Sequence, residues 1–326
     1  MNTDSVSKDA TADFEPMAAY RAVGSLWRRF VAYALDALVL GVVGSGIGAV
    51  FFDRLAQLGP WGRLVGFSVS FVYFGVLDSN IGNGQTLGKR WLRLRVIDRS
   101  GSPISLARSL LRTLIFVIPP SLYGLKLAES RTPSIVISLV FMVVWWVGGA
   151  TLYLVAFNQR TRQGIHDIVV GSCVANAEVF GPLRIERAQK AIWVVLSIIL
   201  AVYTTSVQIV KTKDEEAPPY PQLRQDEREI EALNGVWRAR LRDRLQHSSG
   251  GESVKKNLVA TVTLSTPKDA ETFASEVAAA ILQKDASAHY YDQLTVQIYY
   301  GYDIGIAQRW NHQEFSRTPL EWGSGH

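Results

Sequence analysis

Apolar positions fall into long runs up to about residue 210 and into short periodic patterns beyond it. Residues 30–52, which contain Asp36, and 191–210, which contain no charge, form stretches long enough to cross a bilayer core of about 30 Å at about 1.5 Å per residue. Runs at 61–77 and 110–127 are shorter, the second interrupted by Pro119-Pro120, and a further long run at 134–157 contains Trp145-Trp146. Taking each as a crossing predicts a polytopic α-helical bundle of about five spans. Residues 1–21 are polar and lack a signal-peptide pattern, which predicts a disordered tail. From 211 the pattern turns to amphipathic periods. A Pro-rich acidic linker at 214–221 leads into an apolar repeat at three- and four-residue intervals over 222–246, which predicts a helix. Alternation over 258–264 and 294–300 predicts strands, and 269–282 predicts a helix opening at Asp269. Residues 211–326 are therefore expected to form a small soluble α+β domain.

Charge adds orientation. Residues 211–326 hold 14 basic and 17 acidic side chains, net −3, while residues 1–210 hold 20 and 12, net +8. A pI near 9.3 thus does not describe one basic surface, and nucleic acid is not an expected partner. Arg21, Arg28 and Arg29 precede the first span; Lys89, Arg90, Arg93, Arg95, Arg99, Arg108 and Arg112 lie between the second and third. Arg160, Arg162, Arg184, Arg187 and Lys190 lie between the fourth and fifth, whereas the alternate links hold only Arg54, Lys126 and Arg131. Lys and Arg are retained on the cytoplasmic side, so the N-terminus is expected inside and residues 211–326 outside. Cys173, the single cysteine, excludes an internal disulfide, a Cys-based zinc site and an iron–sulfur cluster. His247, His289 and His312 have no metal-binding spacing, and no catalytic signature is visible, so neither an enzyme, a metal nor a cofactor is expected.

Three polar stretches sit where a bilayer protein should avoid them. Arg29 and Asp36 are seven residues apart and share one face of the first span, with Asp36 about 10 Å deeper. A buried acid there costs on the order of a few kcal/mol unless paired, hydrated or protonated. Next comes Gly84-Gln85-Thr86-Leu87-Gly88-Lys89-Arg90, running into the alternating segment 91–98, and last Arg162-Gln163-Gly164-Ile165-His166-Asp167. Read from the residues alone, Gly84, Thr86, Gly88 and Lys89 mark a turn and short hairpin, with 96–97 pairing with 168–170 and with Lys89 and Arg90 anchoring on lipid phosphates.

These stretches resemble the RDD family of bacterial membrane proteins, named for an arginine and two aspartates. The resemblance covers about residues 22–175. Arg29, Ala32 and Asp36 match its opening pattern, Gly84 to Lys89 its glycine-rich segment, followed by Asp98, Gly101, Pro103, Arg108 and Arg112. Arg162, His166 and Asp167 match its closing pattern. The family implies a bacterial inner-membrane bundle and, in general terms, transport of an ion or small solute. The final span with its basic linker (176–210) and the domain at 211–326 lie beyond the family core.

Two readings follow for the charge cluster of Arg29, Asp36, Arg112, Arg162, His166 and Asp167. It lines an ion or solute pathway with Asp36 as gate, or it locks the helix ends together while the outer domain binds a protein partner or envelope component. Tyr299, Tyr300, Tyr302 and Trp310 are the candidate outer-domain surface, since Tyr and Trp are favoured at interfaces. A bundle of five spans also suggests a homo-oligomer.

Overall fold

A computed structural model describes residues 23–123, 142–158, 161–178, 220–247 and 254–324, with isolated positions between them. The tail, the expected fifth span and Arg160, Arg184, Arg187 and Lys190 lie outside the described residues. The described chain divides into two compact units, one drawn from 1–44, 64–123 and 139–204, the other from 45–63, 124–138 and 205–326.

In the first unit, helix α1 (Leu26–Val50) carries the opening motif. Its last six residues belong to the second unit, as do α2 (Phe52–Leu58) and a 3-10 turn (Gly59–Gly62). Helix α3 (Arg63–Leu77) then continues the run. Leu26–Val50 and Phe52–Leu77 are each long and apolar enough to cross a membrane. Leu38 and Val42 on α1 are both 67% exposed, which suits side chains facing lipid. The expected third span is represented by α5 (Leu106–Leu122), 17 residues that include Arg108 and Arg112 and continue through Pro119-Pro120. The expected fourth is represented by a π turn (Val144–Gly148) and α6 (Gly149–Phe157). Among the described residues only the first two spans reach crossing length.

The segment 84–98 is not a local hairpin. Thr86 caps a one-turn helix α4 (Leu87–Trp91), accepting a hydrogen bond from Lys89 N, and β1 (Leu94–Ile97) follows. Its partner is β2 (Cys173–Asn176), antiparallel, with Leu94 opposite Asn176 and Ile97 opposite Cys173. The expected partner 168–170 lies instead in α7 (Ile165–Val170), whose first turn carries Asp167 and which Gly171 ends. The β-branched run Ile168-Val169-Val170 looks like strand, but its tertiary setting makes it helix.

The second unit's core is a sheet in the order β3-β4-β5-β6, formed by β3 (Val236–His247), β4 (Val254–Leu264), β5 (Gln293–Asp303) and β6 (Gln308–Arg317). Strands β4 and β5 are parallel and joined through α9 (Ala270–Lys284); the other pairs are antiparallel. Helix α9 starts at Asp269, whose carboxylate accepts from Thr272 N at 3.0 Å. Leu241, Leu258, Val262, Val296 and Ile298 pack beneath α8 (Tyr220–Ala232) and α9, with Ile230, Val277 and Ile281 facing them. The expected helix over 222–246 is corrected: it ends at Ala232. Gly235, at φ +81°, turns the chain into β3. Strand β6 is an addition that the sequence pattern did not suggest. The same unit holds α2 against β5: the Phe52 ring lies 5.6 Å from Tyr300 and from Tyr302, and Arg63 pairs with Asp303 at 2.6 Å.

Candidate functional site: a cavity bordered by buried charges

Helix α1 presents Arg29, Ala32 and Asp36 along one face, and the glycine-rich segment closes over it. Gly88 is required there, because a Cβ would collide with the Ala32 carbonyl oxygen. That close approach lets Gly88 N donate to Asp36 Oδ1 at 2.8 Å. Thr86 Oγ1 donates to Asp36 Oδ2 at 2.6 Å, and the Tyr73 hydroxyl donates to Oδ1 at 2.7 Å. Asp36 is 1% exposed and all three donors belong to the first unit. It is therefore a carboxylate held by hydrogen bonds rather than by a direct cation.

A second chain of charge runs beside it. Asp78, at the end of α3, pairs with Lys89 at 2.5 Å and with Arg112 at 2.7 Å. Arg112 Nε reaches Asp167 Oδ1 at 2.8 Å, where Ser172 Oγ also donates at 3.0 Å. Lys89 is thus buried in an ion pair, which corrects its expected role as a lipid anchor; Arg90 beside it is exposed. Arg29 donates to the backbone carbonyls of Val174 (2.6 Å) and Arg162, so it does not pair with Asp36 despite sharing its face. Arg162 contributes that carbonyl from a left-handed backbone, φ +47°. His166 Nε2 lies 3.4 Å from Asp167 Oδ2 and the ring meets Phe116 edge-on at 5.3 Å.

The electrostatics of the groups outside the spans follow from burial and pairing. Burial opposes ionisation of Asp167, yet the Arg112 guanidinium, with His166 and Arg29, holds its carboxyl well below the ordinary carboxylate range. Burial lowers His166 despite Asp167, and Arg112 lowers it further, so the imidazole is neutral near pH 7. Burial also lowers the Lys89 ammonium against the pull of Asp78.

Arg29, Asp36, Lys89, Arg112, His166 and Asp167 all border one cavity of about 570 Å³. Its other walls are apolar and aromatic, including Tyr33, Phe74, Phe116, Pro119 and Trp145. Five of the six residues of the charge cluster chosen from the sequence, together with Lys89, therefore converge on one volume. Gly84, Thr86 and Gly88 shape the segment that borders it. Two participants were missed, Asp78 and Tyr73. Asp78 sits in a polar turn after the second span, where an acid looks like ordinary loop; the only signal was its place at a helix end. Among the described residues no group of three or more His, Cys, Asp or Glu side chains is arranged to hold a metal ion.

The candidate aromatics of the α+β domain separate. Tyr302 is 4% exposed, and Tyr300 donates its hydroxyl to Asp53 at 2.7 Å, so both lie against the residue 45–63 segment. Tyr299 stacks on His312 at 5.4 Å on the opposite face of the sheet, which Trp310 shares by strand alternation.

Comparison with known proteins agrees with this geometry. The RDD family model matches residues 23–171, which contain every charged residue bordering the cavity. Neither the curated proteins nor the solved structures compared with the chain contain a match. Over residues 23–171, just under half of its length, the chain is similar to the RDD family.

Proposed function

We propose that the RDD-like domain translocates a small solute or ion through the cavity bordered by Arg29, Asp36, Arg112, His166 and Asp167. The observation that carries this reading is the convergence of independently recognised polar residues on one 570 Å³ volume with aromatic walls. Binding sites of this size characteristically combine apolar walls with a few placed polar groups. Asp36, tied to Tyr73, Thr86 and Gly88, is the gate: releasing those donors frees the glycine-rich segment from α1. In this reading the protein lies in the bacterial inner membrane with its N-terminus cytoplasmic and residues 211–326 extracytoplasmic, as the Lys and Arg distribution predicts.

Uptake into liposomes by wild type and Asp36→Asn, across about pH 6–9 and several monovalent cations, tests it. Saturable flux in wild type and its loss in a folded mutant are expected. Flux equal to that of empty liposomes for both proteins would sink ion translocation.

A second reading is favoured by the completeness of the pairing. Asp36, Asp78 and Asp167 each have their donors in place, as a rigid anchor requires. The bundle is then a membrane anchor for an interaction domain, and Asp36→Asn is tolerated as long as its hydrogen bonds survive.

A further inference from the structure

The cavity scarcely sees the charges that border it. Asp36, Arg112, His166 and Asp167 are each 5% exposed or less. The carboxylates are turned onto Tyr73, Thr86, Gly88, Arg112 and Ser172 instead. What faces the volume is hydrocarbon and aromatic ring. Tyr33 meets Phe116 edge-on at 5.6 Å, and Phe116 meets Phe74 in the same way at 5.4 Å. Gly149, at the start of α6, leaves space beside them, since a Cβ there would meet nothing within 4 Å.

The volume also opens outward. Phe30 on α1, Tyr123 just past α5, Trp145 in the π turn and Leu152 on α6 border it and are themselves exposed, Phe30 by 59% and Leu152 by 73%. Its mouth therefore lies among exposed apolar side chains, on the same helix as Leu38 and Val42 and on the surface that a bilayer covers.

The walls decide what can fill it. A hydrated ion would shed water against a surface that offers few polar atoms in return, which is costly. Water needs about two to four polar partners, and apolar cavities stay dry. An empty cavity forfeits dispersion contacts on its open side. Hydrocarbon meets none of these costs, because a lipid chain beside the mouth is as apolar as the walls it would enter. A volume of about 570 Å³ is that of a single-ligand site, so one chain suits it.

We propose that the cavity holds one acyl chain of a bilayer lipid, inserted sideways past Phe30 and Leu152. As the solute of the translocation reading the chain rests on that reading; as an occupant of the cavity it is measured by itself. The test uses the full chain in nanodiscs of phosphatidylcholine that carries a photoreactive diazirine on one acyl chain. Adducts are expected at Phe116 and Thr151 on the cavity walls as well as at Leu38 and Val42 on the outer surface of α1. Gly149→Phe fills the volume and should lose the wall adducts while keeping those at Leu38 and Val42. Gly46→Phe, on an exposed part of α1 outside the cavity where a Cβ is equally free, should label as wild type.

Labelling of Leu38 and Val42 without wall adducts in wild type would overturn the proposal. So would wall adducts that persist in folded Gly149→Phe, or an equal loss in Gly46→Phe. Where Gly149→Phe fails to fold, Val155→Phe fills the same cavity and carries the decision. Reaction of Thr151→Cys with a membrane-impermeant maleimide, above the level of wild type with its buried Cys173, would assign the volume to water and hydrated solutes instead. Wall adducts in a protein that gives no flux in liposomes would keep the lipid and end the translocation reading. Saturable ion flux without wall adducts would do the reverse.

Discussion

At the scale of single residues the most consequential side chain is Asp78, which holds both Lys89 and Arg112. Asp78→Asn leaves two buried cations short of an anion, and the expected cost to the membrane domain is on the order of 3–5 kcal/mol. Asp36→Asn should cost only about 1 kcal/mol, because its donors are a backbone N–H and two hydroxyls, and the Thr86 hydroxyl can rotate to accept from the new amide. Denaturation of both variants in detergent checks this order; equal losses would mean that Asp36's charge, rather than its acceptors, holds the site. Asp36, Arg112 and Asp167 were legible in the sequence because each is polar where its setting is apolar or the chemistry unusual. Their partners were not. The spacing of Arg29 and Asp36 correctly puts them on one face of α1, yet their contacts come from segments 37 to 145 positions away, which helical spacing cannot report.

At the scale of elements, close approach decides the site. Gly88→Ala forces α4 away from α1 and should destabilise the domain by on the order of 1–3 kcal/mol, measurable as a lowered unfolding temperature. Helix α8 makes a prediction about pH. Burial, and then the Asp285 and Glu229 carboxylates, raise Asp226 to about 7. Its ordinary value is about 3.9, so between these values the folded state binds the proton more tightly than the unfolded chain. Stability of the second unit should therefore fall as pH rises from about 4 to 7 and level off above, with Asp226→Asn flattening the profile. Thermal unfolding across that range reads it directly. The expected helix over 222–246 was half right: Leu223 and Ile230 lie on α8, whereas Leu233, Val236 and Trp237 carry the helical spacing past its end, where the period-two run of arginines reports a strand. Strand β6 escaped notice for a simpler reason: nearly all its residues from Gln308 to Arg317 are at least partly exposed, so no apolar period marks it.

At the scale of the whole molecule, the sequence divided a membrane part from an α+β domain. The structure adds residues 45–63 to the latter's unit. That addition was illegible because it depends on pairs formed across most of the chain. Arg63→Ala leaves Asp303 without its cation, and hydrogen exchange should show α2 amides losing protection while those of α9 stay unchanged. Equal loss in both helices would mean general destabilisation instead. The pairs Arg63–Asp303 and Asp53–Tyr300 span 240 and 247 positions. At about 5–20 residues per second, a ribosome takes on the order of 10–50 s to make the intervening chain. During that interval Phe52 and Leu55 have emerged but the strand that covers them has not been synthesised. A nonsense codon ahead of residue 293 makes that interval permanent, so a lesion late in the message is felt at a helix made near its beginning.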